Sequence, residues 1–203
     1  MNDGVRLEME PITKCPICYY WSSDQQYRKE DRGAKILYKR CASCGIWYAS
    51  SMMSDESAKA FYNGSYRAFA MGNNLIPQSE IDNEVSRAQY QSKLLMDNVW
   101  EHVLDVGSGL GKIGRLLLSS GHANEVIGVE PDPTYRSYSD VRAVETIEDL
   151  PAHLKFDLVI ASHVLEHITK PNKFINSLQY LMVDNAHLLI EVPNADTVHS
   201  SNI

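Results

Sequence analysis

The sequence predicts an α/β fold, a parallel sheet wound with helices and preceded by a small metal-binding module. Three observations carry this. Residues 103–118 read as a buried strand, a glycine turn and an amphipathic helix. Strand-like and helix-like stretches then alternate to residue 192, which implies parallel strands joined by right-handed crossovers. All four cysteines lie ahead of this region, in two C-x-x-C pairs. A chain of 203 residues has room for one full domain and a small module. We set the module at 1–52, a helical connector at 53–100 and the α/β domain at 101–203.

Hydrophobic residues make up 44% and charged residues 22%, an ordinary globular balance. The net charge of −7 suits solubility and speaks against a nucleic-acid partner, which selects for a basic surface. No apolar run is long enough to span a bilayer. The first residues lack a basic stretch followed by an apolar one, so they do not read as a secretory signal. The expectation is a cytoplasmic protein with no membrane partner.

In the module, Cys15-Pro16-Ile17-Cys18 and Cys41-Ala42-Ser43-Cys44 are separated by 22 residues. The spacer carries a turn signal at Asp31-Arg32-Gly33 and a strand-like stretch at 34–38. Two such pairs present four thiolates, from Cys15, Cys18, Cys41 and Cys44, to one tetrahedral Zn²⁺. Gly45 suits the tight turn after the second pair. A disulfide framework would need an oxidising compartment, and a redox C-x-x-C is ordinarily single and opens a helix. Four protein ligands leave no position for water, so the zinc would be structural, in a small zinc ribbon whose core is too slight to fold alone. Lys14, Lys35, Lys39 and Arg40 add positive charge, and Tyr19, Tyr20, Trp21, Trp47 and Tyr48 could stack bases. The favoured reading has these aromatics pack the ribbon's core or dock it on the neighbouring domain.

The connector has helical spacing from Asp55 to Phe69, with Ser54 or Asp55 as N-cap and Ala58, Phe61 and Tyr62 on one side. Asn63-Gly64 would break it, and Gly72-Asn73-Asn74 with Pro77 mark a loop. A longer helix is expected from Ser79, with Ile81, Val85, Ala88, Leu94, Leu95, Val99 and Trp100 towards the core.

Gly107, Gly109 and Gly111 remove every Cβ on the side where a ligand would approach, and they permit positive φ. The amides opening the next helix would face that ligand. Asp105, near the end of a buried strand, costs free energy unless it accepts hydrogen bonds or meets a cation. This is a nucleotide-type site, with two readings. Residues 109–114 satisfy G-x-G-x-x-G, and Glu130 follows about twenty residues on, as in a dinucleotide fingerprint. The turn, however, already begins at Gly107. In the second reading, D-x-G-x-G-x-G, the turn with Ser108 cradles an amino-acid carboxylate and Asp105 helps hold an ammonium. S-adenosylmethionine has both groups and NAD has neither. Residues 103–111, VLDVGSGLG, resemble the first motif of the class I S-adenosylmethionine-dependent methyltransferases. That resemblance implies a Rossmann-like methyltransferase sheet.

Later stretches fall in step with it. The second strand, 125–130, ends in Glu130 followed by Pro131-Asp132, and a carboxylate there can accept from a ribose diol. A brief helix at 135–138 and a third strand at 141–144 follow. Residues 146–151 lie where the family brackets adenine, with Ile147 on the ring face and Glu148 or Asp149 accepting from the exocyclic amine. The fourth strand, 156–161, runs into Ser162-His163-Val164-Leu165-Glu166-His167-Ile168 at the crevice end of the sheet. Ser162 and His163 join the cofactor side. His163, Glu166 and His167 are either acid–base groups or orienting ones. The orienting role is preferred, the catalytic residue is unassigned, and His163 is the outside candidate. No Asp/Asn-Pro-Pro-aromatic sequence follows this strand, so the usual signature for methylating base amines is missing. In the family the connector commonly folds over the cofactor, which brings Tyr62, Tyr66, Arg67, Arg87 and Tyr90 into view. Each alone reads more simply as a surface or packing residue.

A helix at 171–181 and a fifth strand at 187–192 close the recognisable part. Pro193-Asn194 completes an EVPN ending common in relatives with a four-cysteine module, which resemble methyltransferases of sugar and surface-polysaccharide pathways. The family sheet usually has seven strands, and 11 residues follow Val192. The expectation is therefore a sheet truncated after its fifth strand, with an uncovered edge open to a protein partner or self-association. The function expected is methyl transfer from S-adenosylmethionine to a small-molecule acceptor, a sugar or sugar nucleotide of a polysaccharide or secondary-metabolite pathway. The alternatives are an RNA-modifying methyltransferase that grips RNA with the ribbon, and a non-catalytic cofactor-binding remnant. An NAD-dependent oxidoreductase fails on Asp105 and on the register of the glycines.

Overall fold

The computed structural model describes residues 8–31, 34–62 and 76–194. The chain divides into two compact units, Met1–Phe61 with Ile168–Asn176 and Pro193–Ile203, and Tyr62–His167 with Ser177–Val192.

In the first unit β1 (Met9–Pro11) is followed by β2 (Ser23–Asp31), β3 (Ala34–Cys41) and β4 (Trp47–Ala49), which form an antiparallel three-stranded sheet. β5 (Ser51–Met53) returns to pair antiparallel with β1. Gly45 makes the tight turn into β4 at φ +76°, as its position after the second cysteine pair predicts. The core is small: Cys15, Cys41 and Tyr48 are buried, with Ile12, Ile17 and Ile46 against them. Of the ribbon aromatics Tyr48 is buried, whereas Tyr19 and Trp21 are 65% and 74% exposed. Of the two expected roles, packing the ribbon's core falls to Tyr48 and not to Tyr19 or Trp21, because thiols and isoleucines already fill so slight an interior.

α1 (Asp55–Ala60) begins where expected, with Ser54 Oγ accepting from the Ser57 amide at 3.2 Å. Phe61 caps α1, and residues 63–69 of the predicted helix lie outside the described residues, as do the expected Asn63-Gly64 break, Tyr66, Arg67 and the loop at 72–74. Asp55 accepts from Thr169 and from Lys170 Nζ at 2.6 Å, and Asn172 donates to the Ile17 carbonyl at 2.7 Å. These bonds tie residues 168–176 into the first unit.

The second unit contains α2 (Gln78–Leu95), β6 (Trp100–Val106), α3 (Lys112–Ser119), β7 (Ala123–Val129), α4 (Pro133–Ser137), β8 (Arg142–Val144), β9 (Phe156–Ser162) and β10 (Met182–Glu191). α5 (Pro171–Leu181) begins in the first unit and ends in the second. The five strands form one parallel sheet in the order β10-β9-β6-β7-β8. The chain thus starts at the sheet's centre, winds to one edge, then returns to build the other. Its middle strands are near-continuous apolar runs, as a sheet covered on both faces requires. Val103, Leu158, Ile160, Val126, Ile113 and Leu117 form the core with Ala88, Leu95 and Trp100.

α2 corrects the predicted core face. Ala88, Gln91, Ser92 and Leu95 are buried, whereas Val85, Leu94 and Val99 are 37%, 55% and 66% exposed. The buried stripe has ordinary helical spacing, but two of its four members are polar, so counting apolar residues alone sets the wrong phase. β7 ends at Val129, leaving Glu130 just past the strand, and β10 starts at Met182 with a register irregularity before His187. Among the described residues no helix is long and apolar enough to cross a membrane.

Candidate functional site

Asp105 is the penultimate residue of the central strand, opposite Gly128 on one side and Ile160 on the other. It is 3% exposed, and its Oδ2 has no hydrogen-bond partner among the described residues. Burial pushes its carboxyl up to about 8, and the carboxylates of Glu84 and Glu130 add to the rise. Glu130, 8% exposed, accepts from the Gly109 amide through Oε2 and from the Asp132 amide through Oε1, both at 2.9 Å. Burial still holds it above the usual carboxylate value.

Gly107, Gly109 and Gly111 all have positive φ, at +69°, +54° and +68°. Their missing side chains serve different neighbours. A Cβ at Gly107 would run into Val164, and one at Gly111 would crowd Ser139 and Val141. At Gly109 it would lie 2.5 Å from Glu84 Oε1. Each of the three missing side chains thus makes room for the chain's own groups: Val164, Glu84, and Ser139 with Val141. Ser108 is buried beside Gly128, its hydroxyl unpartnered among the described residues.

An open cleft, with an enclosed volume of about 40 Å³, lies at the C-terminal ends of β6 and β9. α2 contributes Glu84, Arg87, Ala88 and Gln91, the turn contributes Asp105, Gly107 and Ser108, and α3 and β9 contribute Lys112, Ile113 and Ser162. Open α/β sheets bind ligands in this crevice. Glu84 Oε2 accepts from the Leu110 amide at 3.0 Å. Burial pushes Glu84 up to about 7, opposed by that bond and by the Arg87 guanidinium, and helped by Glu80 and Glu130.

At the end of β9, Gln91 Nε2 donates to Ser162 Oγ at 2.8 Å and to Glu191 Oε2 at 2.6 Å, and Ser162 donates to Glu191 at 2.9 Å. Burial would raise Glu191, but these bonds bring it below the usual value. His163 sits at φ +54°, its amide donating to the Glu191 carbonyl and its Nδ1 lying 3.1 Å from Glu166 Oε1. His167 Nδ1 is 2.9 Å from the Tyr62 hydroxyl, and its burial lowers its pKa. Further along the sheet, residues Ile147–Asp149 form a single turn. Asp149 is engaged locally, accepting from the Thr146 amide and hydroxyl, while Glu148 is exposed and Ile147 half-buried. Pro131 links Glu130 to Asp132, which caps α4 through the Thr134 amide at 2.7 Å.

In the first unit the sulfurs of Cys15, Cys18, Cys41 and Cys44 all lie within 4.8 Å of one another. Cys15 is 3.6 Å from Cys44, and Cys18 is 3.5 Å from Cys41. Bonds of about 2.3 Å to one tetrahedral ion put sulfurs roughly 3.8 Å apart, so the set fits a single metal. The Cys18 amide points at Cys15 Sγ, and the Ser43 and Cys44 amides point at Cys41 Sγ. Burial would raise Cys41, yet these amides and the neighbouring thiols draw it down to about 6. The same crowding raises Cys15 and pushes Cys44 up to about 12, so the four thiols share their protons as one cluster.

Residues 54–202 match the family model of the methyltransferase domain. The chain belongs to the methyltransferase-domain family. The ubiquinone biosynthesis O-methyltransferase of Rhodopseudomonas palustris (strain HaA2) is 26% identical to this methyltransferase-domain chain over 102 residues. The match spans 45% of this chain and 40% of that relative, well under half its length. Among solved structures, the plantazolicin methyltransferase BpumL in complex with SAH superposes with a TM-score of 0.52 at 15% identity, covering 70% of this chain and 59% of that one. The DhpI–SAM–HEP complex gives 0.50 at 19% identity, covering 72% and 69%. These likenesses establish the Rossmann-like methyltransferase fold.

Within the methyltransferase domain, Asp105, Gly107, Ser108 and Ser162 meet in one cavity, with Glu130 joined to the same turn. Sequence reasoning missed Glu84, Gln91 and Lys112, while Arg87, named with the segment expected to cover the cofactor but read more simply as a surface or packing residue, does line the cleft. The available signal was helical phase: Glu84, Ala88, Gln91 and Leu95 recur on one face of α2 at spacings of four, three and four. Tyr90 lies off that face and is 59% exposed.

Proposed function

We propose that this chain is an S-adenosylmethionine-dependent methyltransferase acting on a small-molecule acceptor, with a structural zinc held by Cys15, Cys18, Cys41 and Cys44. The observation that carries the reading is the orphaned carboxylate oxygen of Asp105, buried beneath the glycine turn and lining the cavity. A buried acceptor of this kind is costly until something donates to it, and an amino-acid ammonium suits it. The turn of Gly107, Ser108, Gly109 and Gly111 would hold the amino-acid end of the cofactor. Glu130 would exchange its present amide partners for a ribose diol. Pro131, Ile147 and Glu148 would frame the adenine, while Ser162 and His163 would border the reacting end.

When bound, the cofactor supplies an activated methyl group on a good leaving group. The chain's own contribution is to hold the acceptor in line and exclude water. His163, tethered through Nδ1 to Glu166, is the candidate to take a proton from an acceptor hydroxyl. The relatives are named for ubiquinone biosynthesis and plantazolicin, which supports the broad class of small-molecule acceptor. The EVPN ending beside a four-cysteine module favours a sugar or sugar nucleotide within it.

Calorimetric titration of the full chain with S-adenosylmethionine, S-adenosylhomocysteine and NAD tests the cofactor. Binding of the first two, abolished by Asp105→Ala and by Glu130→Ala, is expected. NAD binding in their place, or no nucleoside binding by the folded wild type, would overturn the proposal.

A further inference from the structure

The amides of the glycine turn are already taken by the chain's own oxygens. Gly109 N–H donates to Glu130, Gly111 N–H to the Ser108 carbonyl, and Leu110 N–H to Glu84. A ligand carboxylate seeking donors on this turn would find the Leu110 amide occupied by another carboxylate. α2 sets Glu84 one helical turn before buried Ala88, on the face that meets the turn. Gly109 lets it close: any side chain there would meet Glu84 Oε1 at 2.5 Å. The charged groups around Glu84 are Glu80 and Arg87 on α2, Asp105 on β6, Glu130 after β7 and Lys112 at the start of α3. Three of these five are acids.

We propose that Glu84 is an internal stand-in for the cofactor's carboxylate: it closes the turn while the site is empty and must surrender the Leu110 amide for the cofactor to bind. The proposal rests on the S-adenosylmethionine reading of the site. The single Leu110 N–H cannot be given to the ligand's carboxylate while Glu84 Oε2 holds it at 3.0 Å, so the exchange is obligatory. Letting go costs little, because burial already holds Glu84 near neutrality, about 7, and swinging outward returns it to water.

The test is calorimetric titration of the 203-residue wild type, Glu84→Ala and Glu84→Gln with two ligands. S-adenosylhomocysteine carries the amino-acid carboxylate. 5′-Methylthioadenosine shares the nucleoside and thioether but lacks the whole amino-acid arm, ammonium and carboxylate alike. Both variants should bind S-adenosylhomocysteine more tightly, Glu84→Ala by about tenfold, with methylthioadenosine affinity unchanged. The gain should be smaller in Glu84→Gln, whose amide oxygen can still accept from Leu110. Should Glu84→Ala fail to unfold cooperatively on heating, Glu84→Gln decides. Weaker S-adenosylhomocysteine binding in the variants would make Glu84 a direct contact of the ligand and overturn the proposal. An equal gain for both ligands would reduce Glu84 to a steric plug and overturn it too. If no form binds either nucleoside, the cofactor reading falls and the stand-in falls with it. Intact wild-type binding with no gain in the variants sinks the stand-in alone.

Discussion

The cysteine ribbon and the parallel-sheet unit keep their order by opposite means. The ribbon buries two thiols and one tyrosine as its core, and its longest strand, β2, is largely polar. The sheet unit buries a continuous apolar layer and then sets carboxylates into its upper rim: Asp105, Glu130 and, from α2, Glu84. On the zinc proposal, the thiols are the first unit's scaffold. In the second the carboxylates are a burden that the scaffold carries. Removing the polar groups should therefore collapse one unit and firm up the other.

The largest effect is expected in the ribbon. Cys41→Ser, or a strong chelator acting on wild type, should release one equivalent of zinc and abolish amide-exchange protection in β2, β3 and β4. The amides of β6 and β9 should stay protected, since an apolar core holds them. Amide exchange followed by mass spectrometry, alongside metal analysis, reads both. Protection in β2–β4 that survives chelation would mean that the six-residue apolar cluster suffices without a metal.

The opposite sign is expected at the sheet's rim. In the unfolded chain Asp105 loses its proton near the ordinary Asp value, about 4, whereas in the folded, unliganded chain it keeps it up to about 8. The folded state binds more protons across that window, so this group's contribution to stability is full below about pH 4 and is lost as pH rises to about 8. Asp105→Asn has no proton to lose. The variant should unfold at higher denaturant than wild type, by a margin that widens between about pH 5 and about pH 8 to on the order of a few kcal/mol. Glu84 works in the same direction up to about 7 and remains in both proteins. The same substitution should abolish binding of S-adenosylmethionine. A variant no more stable than wild type at alkaline pH would show that Asp105 carries no stored cost.

Local patterns explain how much of this was legible. The central strand, glycine turn and α3 could be read because an apolar run and a glycine spacing are properties of nine consecutive residues. The cysteine pairs were legible for the same reason, and the four sulfurs do converge. β2 was not: Ser-Asp-Gln-Gln-Tyr-Arg-Lys-Glu-Asp has no apolar alternation, and its strand state comes from pairing with β3. β1 is three exposed residues that are strand only because β5 returns to them. Glu84 was hidden for a related reason. On an isolated helix an acid at that position reads as solvated, and only the approach of Gly109, 25 residues later, makes it a lining residue. Where a lining residue depends on a distant segment arriving, helical phase marks its face but not the neighbour that gives it a role.

The smallest expected effect asks whether α1 shares the ribbon's dependence on its thiols. α1 lies in the same compact unit, but its start is secured by its own cap, Ser54, whose side chain is buried and bonded to the Ser57 amide. Ser54→Ala should cost about 1 kcal/mol, the usual worth of such a cap, and should speed amide exchange at Ser57 and Ala58 without altering zinc content. Chelation of wild type gives the converse comparison. If α1 exchanges together with β2–β4 when the metal is removed, the thiol cluster orders the whole unit. If α1 keeps its protection and loses it only on Ser54→Ala, the metal's reach ends with the antiparallel strands. Residues 51–61 are then a locally encoded lead-in to the methyltransferase domain, consistent with the family match beginning at Ser54 itself.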